Sequence, residues 1–555
     1  MEQETEQIEA GQISESIKLA RAYALEGGEQ ILRGRLDEIH GVSASPGATA
    51  LATLALLLLG SKYKKNSQAG LHWFRNTRQN QGWGKVPGGD PDEEITQLVQ
   101  KAFIGNRSGR LIHYFLPSQV KEVANIVLAL GQEVVPGMKG PQPDETTLPH
   151  ILSERIIKKL PPYGRPVVVA AALLAAQDLK QDSIGKAVTY LCDCQMDDGS
   201  WSEDIVVTSL AVIALVRAKI TGGSLDKAAQ WLVSKQYPRG AWPAFDQLFT
   251  WSVGLAIRCF MESGPSPAET DWIRRATPWL SAGQNADGSY GSTPPFTQPD
   301  LDDTAVALRA LQLLGSPVSR HSAELLLRLQ NEDGSWATFP DFSGCLPEVT
   351  CTFPIYIPST DVTVHVLDAL WGAGEIRKME GSESPAFGPG VRGLREQHLS
   401  SGVHWLLEQQ MTSGEFPGTW YEGSIYATAQ ILEFLSRRAR QVTFWRHGRL
   451  GTSIQTAHTK ALNYLVSSQN SDGSWGNSVI ETSLAVSALC SVGHPLPPEL
   501  LARGAAAILA SQSANGSFRP SYRCIYAKGW NYEEPLTTAL TAVTALERYK
   551  RFGHR

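Results

Sequence analysis

Three carboxylates crowd the start of one apolar segment, "PDLDDTAVALRALQLLG", which begins at Pro299. Asp300, Asp302 and Asp303 lie there within four residues. A single Asp is explained by helix capping, because its oxygen accepts hydrogen bonds from free backbone N–H groups. Three carboxylates held close in a dry pocket cannot all ionise, so one of them keeps its proton at neutral pH. The cluster therefore predicts a Brønsted acid, with Asp302 as the donor and its two neighbours as hydrogen-bond partners or charges that tune it.

A histidine and several aromatic side chains occur at corresponding places in other segments. His365, in "STDVTVHVLDAL" from Ser359, could hold Asp302 in a hydrogen-bonded geometry, although a packing role is the alternative. Aromatic faces stabilise cations without acting as nucleophiles. The aromatic residues near the starts of apolar segments are Trp251, Phe296, Trp420, Tyr421, Tyr426 and Trp530. These residues predict a proton donor beside a pocket that stabilises a cation.

The elements that must position these residues follow an internal repeat. A Gln is followed six residues later by an aromatic residue at Gln195, Gln236, Gln284, Gln330, Gln410, Gln469 and Gln512. An amphipathic segment precedes each turn and a more uniformly apolar one follows it, so each unit predicts an outer and an inner helix. Stacked units of this kind form an αα-barrel. Trp201, Trp336 and Trp475 in the turns are predicted to be structural.

The number of inner helices predicts two barrels in an all-α chain. Six inner helices are predicted to start near Trp251, Asp303, Asp361, Tyr426, Glu481 and Leu536, and they form one barrel in residues 246–555. A less regular set, with starts near Ala48, Glu93, Val123, Pro166 and Asp204, predicts a second barrel in residues 46–245. Residues 1–45 hold a helix, about Ser14 to Arg33, that is expected to pack on the later barrel. Because parallel inner helices begin at the same end, their amino termini should share one mouth.

Composition excludes several other classes of function. The net charge is −5 and no Lys/Arg-rich block is present, which argues against a nucleic-acid partner. The apolar runs from Leu51 and Pro166 are too short for a transmembrane span, and the acidic, polar start is unlike a secretory signal. We therefore expect a cytoplasmic protein without an organic cofactor. The pair Cys192 and Cys194 lacks a second pair at zinc-site spacing and is expected to pack in the core.

The segment "PDLDDTA" resembles the Asp-x-Asp-Asp-Thr-Ala motif of class II terpene cyclases, the group of squalene–hopene cyclases and bacterial copalyl-type diphosphate synthases. The Gln-to-aromatic turns resemble the QW motifs of that group. The resemblance implies a βγ pair of αα-barrels, protonation of a terminal isoprene double bond and ring closure through carbocations. It also implies that Asp302 donates the proton, that His365 polarises it with Asp361 alongside, and that Tyr426 assists through solvent.

The carboxyl-terminal part of the sequence departs from the resemblance. Squalene–hopene cyclases usually carry an aromatic-rich Phe-Pro-Gly stretch there, whereas this chain has "YRCIYAKGWNYEEPLTTALTAVTALERY" and is shorter. A shorter isoprenoid substrate is therefore favoured. Arg519, Arg523 and Lys528 could hold a diphosphate beside the last inner helix, or they are solvated loop charges. Mg²⁺ can accompany the diphosphate, with "GGDPDEE" from Gly88 and "WSEDI" from Trp201 as weak candidate ligand sources.

Three functions remain open at this point. The leading hypothesis is a cyclase of geranylgeranyl or farnesyl diphosphate that retains the diphosphate, because no Asp-Asp-x-x-Asp motif is found. The second is a squalene or other triterpene cyclase with peripheral contact to a membrane surface. The third is a non-catalytic αα-toroid that binds partners, which would have no need for a buried acid cluster. The sequence indicates neither an oligomeric state nor the base that ends the reaction.

Overall fold

The computed structural model describes residues 10–79, 81–108, 165–175, 181–243, 247–293, 299–315, 320–339, 358–380, 389–438, 449–493, 496–527 and 530–552. The first helices among them are α1 (Ala10–Leu32), α2 (Pro46–Leu58), α3 (Lys64–Thr77), α4 (Glu93–Ser108), α5 (Arg165–Ala175), α6 (Gln181–Asp193), α7 (Ile205–Arg217) and α8 (Gly223–Ser234). The later helices are α9 (Phe249–Ser263), α10 (Pro267–Ala282), α11 (Leu301–Leu313), α12 (Arg320–Arg328), α13 (Thr360–Glu380), α14 (Pro389–Glu408), α15 (Ile425–Arg438), α16 (Arg449–Ser467), α17 (Val479–Ser491), α18 (Pro498–Ala510) and α19 (Pro535–Phe552).

Six inner helices of the later, or β, barrel form a closed ring within the described part of the chain. In ring order they are α9, α11, α13, α15, α17 and α19, and α19 contacts α9 again. Each begins within two residues of its predicted start. Their side chains are buried on nearly all sides, as in α17 from Val479 to Leu489, which is the burial predicted for inner helices.

The first helix of the chain completes the outer layer of this barrel. Outer helices α10, α12, α14, α16 and α18 alternate with the inner ones along the chain. Helix α1 contacts α9, α10 and α19, which lie more than 200 residues further along the chain. It buries Ile13, Ile17, Tyr23 and Ile31 in the same hydrophobic core as those helices.

The repeated turns bind neighbouring units together, and Gln469 to Trp475 shows how. Gln469 Nε2 donates to the carbonyl of Gly473 at 3.0 Å and to that of Leu500 in the next outer helix at 2.9 Å. Trp475 is fully buried, and its Nε1 donates to Leu465 O at 2.7 Å. Gly473 has φ +87°, and a Cβ there would lie 2.5 Å from Arg503 O, so the turn requires glycine. In the last repeat Gln512 Nε2 donates to Ser16 O of α1 at 2.9 Å.

A second hydrophobic core, from Ala44 to Trp242, belongs to the γ barrel of α2 to α8. Helix α2 contacts α4 and α7, and α7 contacts α5, so these four form its inner layer. The predicted start at Val123 lies outside the described residues. Cys192 and Cys194 are free thiols packed against this core. No helix of the described residues is long and apolar enough to cross a membrane.

One feature departs from the purely helical expectation. Strands β1 (Cys524–Ala527) and β2 (Trp530–Tyr532) form a short antiparallel hairpin just before α19. Ile525 N donates to Trp420 O at 2.8 Å and Glu422 N donates to Arg523 O at 2.9 Å, so the hairpin lies against the segment before α15. The apolar and aromatic residues of "CIYA" and "WNY" suit strands. The fold class of two αα-barrels is nevertheless confirmed.

Candidate active site

Acidic side chains collect where the inner helices of the β barrel begin. These carboxyl groups belong to Asp300, Asp302, Asp303, Asp361, Glu481 and Glu534. All but Asp302 are at most 9% exposed, and the Asp302 side chain is 18% exposed. The amino termini of parallel helices carry partial positive charge, which favours carboxylates at this end. We call this end of the barrel the mouth.

Asp300 performs the capping role and Asp303 does not. The side chain of Asp300 accepts from the backbone N–H groups of Asp302 at 2.8 Å and Asp303 at 3.1 Å. Burial raises the pKa of Asp300 to about 7, and the charge of Asp302 acts in the same direction. Burial also raises the pKa of Asp303 well above its usual range, and its Oδ1 has no hydrogen-bond partner. The structure therefore surrounds Asp302 with carboxyl groups that hold protons near neutral pH.

A hydrogen-bonded chain runs from Asp302 through His365 to Gln430. His365 Nδ1 lies 2.6 Å from Asp302 Oδ1, and its Nε2 lies 2.7 Å from Gln430 Oε1. Burial alone would lower the pKa of His365, but the charge of Asp302 and both hydrogen bonds outweigh it and raise the pKa. Because the amide oxygen can only accept, Nε2 carries a hydrogen, and the protonated ring donates at both nitrogens. Oδ2 of Asp302 is then the oxygen available to a substrate.

Aromatic side chains surround this chain. The Trp251 ring centroid lies 5.4 Å from that of His365, and the rings of Tyr421 and Tyr426 stack at 3.6 Å. Asp361 Oδ2 accepts from the backbone N–H groups of Thr419 at 2.7 Å and Trp420 at 3.0 Å. Thus four predicted pocket aromatics lie on segments that meet at the mouth. Phe296 lies outside the described residues, and of Trp530 only its place at the start of β2 is described.

Sequence reasoning missed two residues of the mouth, Gln430 and Glu534. Gln430 follows Tyr426 by four residues, so both lie on one face of α15, and this helical spacing could have identified it. Glu534 immediately precedes Pro535 at the start of α19, the place where α11, α13 and α17 also carry acids. Its burial raises its pKa to about 7.

A cavity of about 600 Å³ continues inside the barrel behind His365 and Gln430. At its far end Arg548 pairs with Glu262 at 2.6 Å and with Glu433 at 2.7 Å. Arg548, Glu262 and Glu433 lie towards the carboxyl ends of inner helices, where a cation offsets the negative end of the helix dipole. The barrel is therefore polar at both ends, with carboxyl groups at the mouth and guanidinium groups opposite.

The predicted basic cluster is divided between different surroundings. Arg523 donates from Nε to Glu481 at 3.1 Å and from Nη1 to Glu422 at 2.9 Å, so two carboxylates already hold it. Arg519 is exposed and close enough to Asp472 to lower the pKa of that carboxyl, after the larger effect of Ser474 hydrogen bonds. Lys528 lies outside the described residues. A diphosphate site built on these three side chains stays a prediction.

The two acidic patches considered for metal binding serve as helix caps. Asp92 Oδ1 accepts from Ile95 N at 3.0 Å before α4, and Asp204 Oδ1 accepts from Val207 N at 2.8 Å before α7. Among the residues that the structure describes, no group of three or more His, Cys, Asp or Glu side chains has the arrangement of a metal site. A Mg²⁺ ion that accompanies the diphosphate stays a prediction.

Replacing Arg523 by Ala should destabilise the fold in a pH-dependent way. Glu481 is fully buried, and its pKa is raised by burial to about 7, above the ordinary 4.5. Its contribution to stability is therefore fully present below about pH 4.5 and is lost as pH rises through about 7. At pH 8 the free energy of unfolding of Arg523→Ala should be about 1.5–3 kcal/mol lower than that of wild type. At pH 5.5 the difference should be smaller, because Glu481 is then mostly protonated and needs no cation. Urea unfolding at both pH values measures this.

The exposed Arg519 supplies the matched control for that prediction. Arg519→Ala should change the free energy of unfolding by less than about 0.5 kcal/mol at either pH. An equal loss at pH 5.5 and pH 8 for Arg523→Ala would show that the side chain stabilises by packing instead of by charge.

Comparisons with known proteins agree with this geometry. The family model of the squalene–hopene cyclase C-terminal domain matches residues 295–481, and that of the prenyltransferase alpha-alpha toroid domain matches residues 165–244. Drimenyl diphosphate synthase of Streptomyces showdoensis is 24% identical over 58% of this chain and 54% of its own length. Copalyl diphosphate synthase of Streptomyces anulatus is 28% identical over 41% of this chain and 35% of its own. The chain thus spans about half or less of the curated relatives it matches.

A solved structure shares the fold over nearly the whole chain. The ent-copalyl diphosphate synthase from Streptomyces platensis superposes with a TM-score of 0.60 at 18% identity, covering 97% of this chain and 100% of that one. At this identity the likeness concerns the two-barrel fold alone. The acid motif at the barrel mouth, the two family models and the relatives together make this chain similar to the class II terpene cyclases, the group of squalene–hopene cyclases and copalyl-type diphosphate synthases.

Proposed function

We propose that the protein protonates the terminal double bond of a linear isoprenoid diphosphate, geranylgeranyl or farnesyl diphosphate, and cyclises it with the diphosphate retained. The observation that carries this proposal is the hydrogen-bonded chain from Asp302 through His365 to Gln430. It lies at a mouth lined by further buried carboxyl groups and by aromatic rings. A binding toroid would have no reason to bury such a set of acids.

The reaction begins with proton transfer from Asp302 to the alkene. His365 donates to one oxygen of Asp302 and holds the carboxyl group in place, while Gln430 holds the imidazole. The ring faces of Trp251, Tyr421 and Tyr426 stabilise the cation that results, because they offer π-electrons without a nucleophilic atom. Burial of the mouth keeps water from capturing the cation before the rings close.

Two relatives support a diphosphate substrate. Both the drimenyl and the copalyl enzymes are named as diphosphate synthases. Arg519, Arg523 and Lys528 are the side chains proposed to bind the diphosphate, with Mg²⁺ entering as part of the substrate salt. Removing one charge-assisted contact should cost about 1.5–3 kcal/mol in binding. We place the enzyme in the cytoplasm.

A triterpene cyclase is the second candidate, because the matched carboxyl-terminal family model is named for squalene–hopene cyclases. The two candidate substrates differ in charge, and an experiment can measure the effect of that difference. Squalene has no anionic group and would gain nothing from basic side chains, whereas a diphosphate would. Efficient conversion of squalene, with Arg519→Ala and Arg523→Ala indifferent for every substrate, would establish the triterpene candidate.

The test is an incubation of the purified protein with farnesyl diphosphate, geranylgeranyl diphosphate and squalene, each with Mg²⁺. Products are analysed by mass before and after phosphatase treatment. We expect cyclic alcohols only after phosphatase treatment of the diphosphate incubations. If all three substrates are recovered unchanged from folded protein, the proposed cyclase activity is wrong.

His365→Ala should lower kcat about 100-fold without abolishing turnover, because a group that holds the acid contributes less than the acid.

Gln430→Leu should lower kcat about tenfold, the equivalent of one lost hydrogen bond. Gln430→Glu keeps an acceptor for Nε2 and should recover part of that loss. Steady-state kinetics of the three variants provide the measurement. If Gln430→Leu is as active as wild type, the amide serves packing only.

A further inference from the structure

A cyclase whose product is an isomer of its substrate must remove a proton as well as supply one. The proton added at the start is then balanced by one lost at the end. The donor chain of Asp302 accounts for the first step only. The remaining buried carboxyl groups of the mouth are the places to look for the second.

Two adjacent glutamates before α19 have opposite surroundings. Glu533 Oε2 accepts from the backbone N–H groups of Ser521 and Tyr522, both at 2.9 Å, and its Oε1 accepts from Thr538 Oγ1 at 2.7 Å. Glu533 is therefore fully used in holding the chain. Glu534 is 8% exposed, its Oε2 has no hydrogen-bond partner, and no described cation lies within ion-pair distance of it. Such a group needs an explanation, because a buried polar atom without a partner is costly.

The other described carboxyl groups of the mouth are engaged elsewhere. Asp361 is held by two backbone N–H groups, and its charge acts on His365, which is on the same helix. Glu481 is paired with Arg523. Asp303 is next to the donor Asp302, so a proton released there would stay within the donor cluster. Asp361, Glu481 and Asp303 each have one oxygen without a partner, as Glu534 has. The groups that hydrogen-bond Glu534 are neutral hydroxyls, those of Tyr532 and Thr537, so within the described part of the chain neither a cation nor a backbone N–H group holds its carboxylate.

The surroundings of Glu534 are aromatic. Tyr421, Tyr426, Cys524 and Tyr532 form one hydrophobic cluster at the mouth, and each has its pKa raised by burial and, in addition, by the charge of Glu534. Asp302 in turn contributes to the raised pKa of Glu534, so the two carboxyl groups are within electrostatic range. Glu534 thus lies at the same mouth as the donor but belongs to a different helix.

We propose that Glu534 is the general base that ends the cyclisation, an inference that rests on the proposed function. A C–H bond next to the cationic carbon breaks, and its electron pair becomes the new C=C bond. The proton forms an O–H bond with Glu534 Oε2. When Asp302 has lost its proton and Glu534 has gained one, the total charge of the mouth is unchanged. The buried pocket therefore carries no extra charge at the end of the reaction.

The test compares the products of wild type, Glu534→Gln, Glu534→Asp and Glu533→Gln with geranylgeranyl and farnesyl diphosphate. Glu534→Gln keeps the shape but accepts a proton poorly. Its share of deprotonated product should fall at least about tenfold in favour of hydrated alcohols or isomeric alkenes. Substrate consumption should stay within about threefold, because proton transfer from Asp302 comes first. Glu534→Asp should restore part of the wild-type product.

Glu533→Gln separates chemistry from structure. It should lower the melting temperature while leaving the product pattern unchanged, since Glu533 only holds the chain. The inference is overturned if folded Glu534→Gln gives the wild-type product ratio, if it consumes no substrate, or if the wild-type product is already a tertiary alcohol. Failure of wild type to consume either diphosphate would instead refute the proposed function, so the two failures are distinguishable.

Discussion

Asp302→Asn is expected to lower turnover at least about 10⁴-fold, the upper range for loss of a general acid, while leaving the fold intact. The amide keeps the shape of the carboxyl group but has no acidic proton to transfer to an alkene. Asp302 is not the capping residue of α11, since Asp300 accepts the two backbone hydrogen bonds there. The substitution therefore removes chemistry rather than the start of the helix.

Single-turnover kinetics with geranylgeranyl diphosphate measure the loss, and the melting temperature checks the fold. Asp300→Asn is the matched comparison, because an amide oxygen can still accept the two N–H groups. It should retain far more activity than Asp302→Asn. Near wild-type turnover by Asp302→Asn would end the assignment of this residue as the proton donor.

Trp475→Ala should lower the free energy of unfolding by about 3–5 kcal/mol without changing the products, the usual cost of deleting a large buried aromatic. The Trp475 side chain is fully buried, its Nε1 donates to Leu465 O at 2.7 Å, and its ring packs against Gly504 of α18. The ring fits closely there, because a Cβ at Gly504 would lie 2.8 Å from it.

Urea unfolding provides the measurement for Trp475→Ala, and Trp475→Phe is its control. Phe416 and Phe518 occupy the equivalent position in other repeats, so the barrel accepts a phenyl ring there and the cost should be smaller. A changed product pattern at unchanged stability would show that Trp475 lines the substrate cavity instead of packing between units.

Much of the fold could be predicted because the residues of each repeated turn interact with residues close to them in the sequence. The Gln, Gly and aromatic residues of each turn bond within a few residues and to the next unit, so sequence spacing alone locates the inner helices. The shared mouth followed from their parallel direction, and this placed Asp302 and His365 on neighbouring helices before any distance was known. Their separation of 2.6 Å depends on the side-chain geometry of both helices and could not be read from the sequence.

Partners that lie far apart in sequence were the part that could not be predicted. Arg523 was expected to bind a substrate, yet Glu422 and Glu481, 101 and 42 residues away, already pair with it. Gln430 was overlooked because an amide does not titrate and so gave no signal of chemistry. Glu534 was overlooked because "NYEEPL" contains two adjacent glutamates that the sequence cannot distinguish, although Glu533 has both oxygens bonded and Glu534 leaves Oε2 without a partner.

The place of α1 in the outer layer also has a consequence for biosynthesis. Ser16 in α1 is 496 residues away from its hydrogen-bond partner Gln512. At about 5–20 residues per second, roughly 25–100 s pass between the synthesis of Ser16 and that of Gln512, so the contacts of α1 with the end of the chain form last. Closing so long a loop adds little entropic cost, because that cost grows only logarithmically with length. The hazard is therefore one of time: the γ barrel can fold first, while Ile13, Ile17 and Ile31 remain exposed to aggregation or to a chaperone.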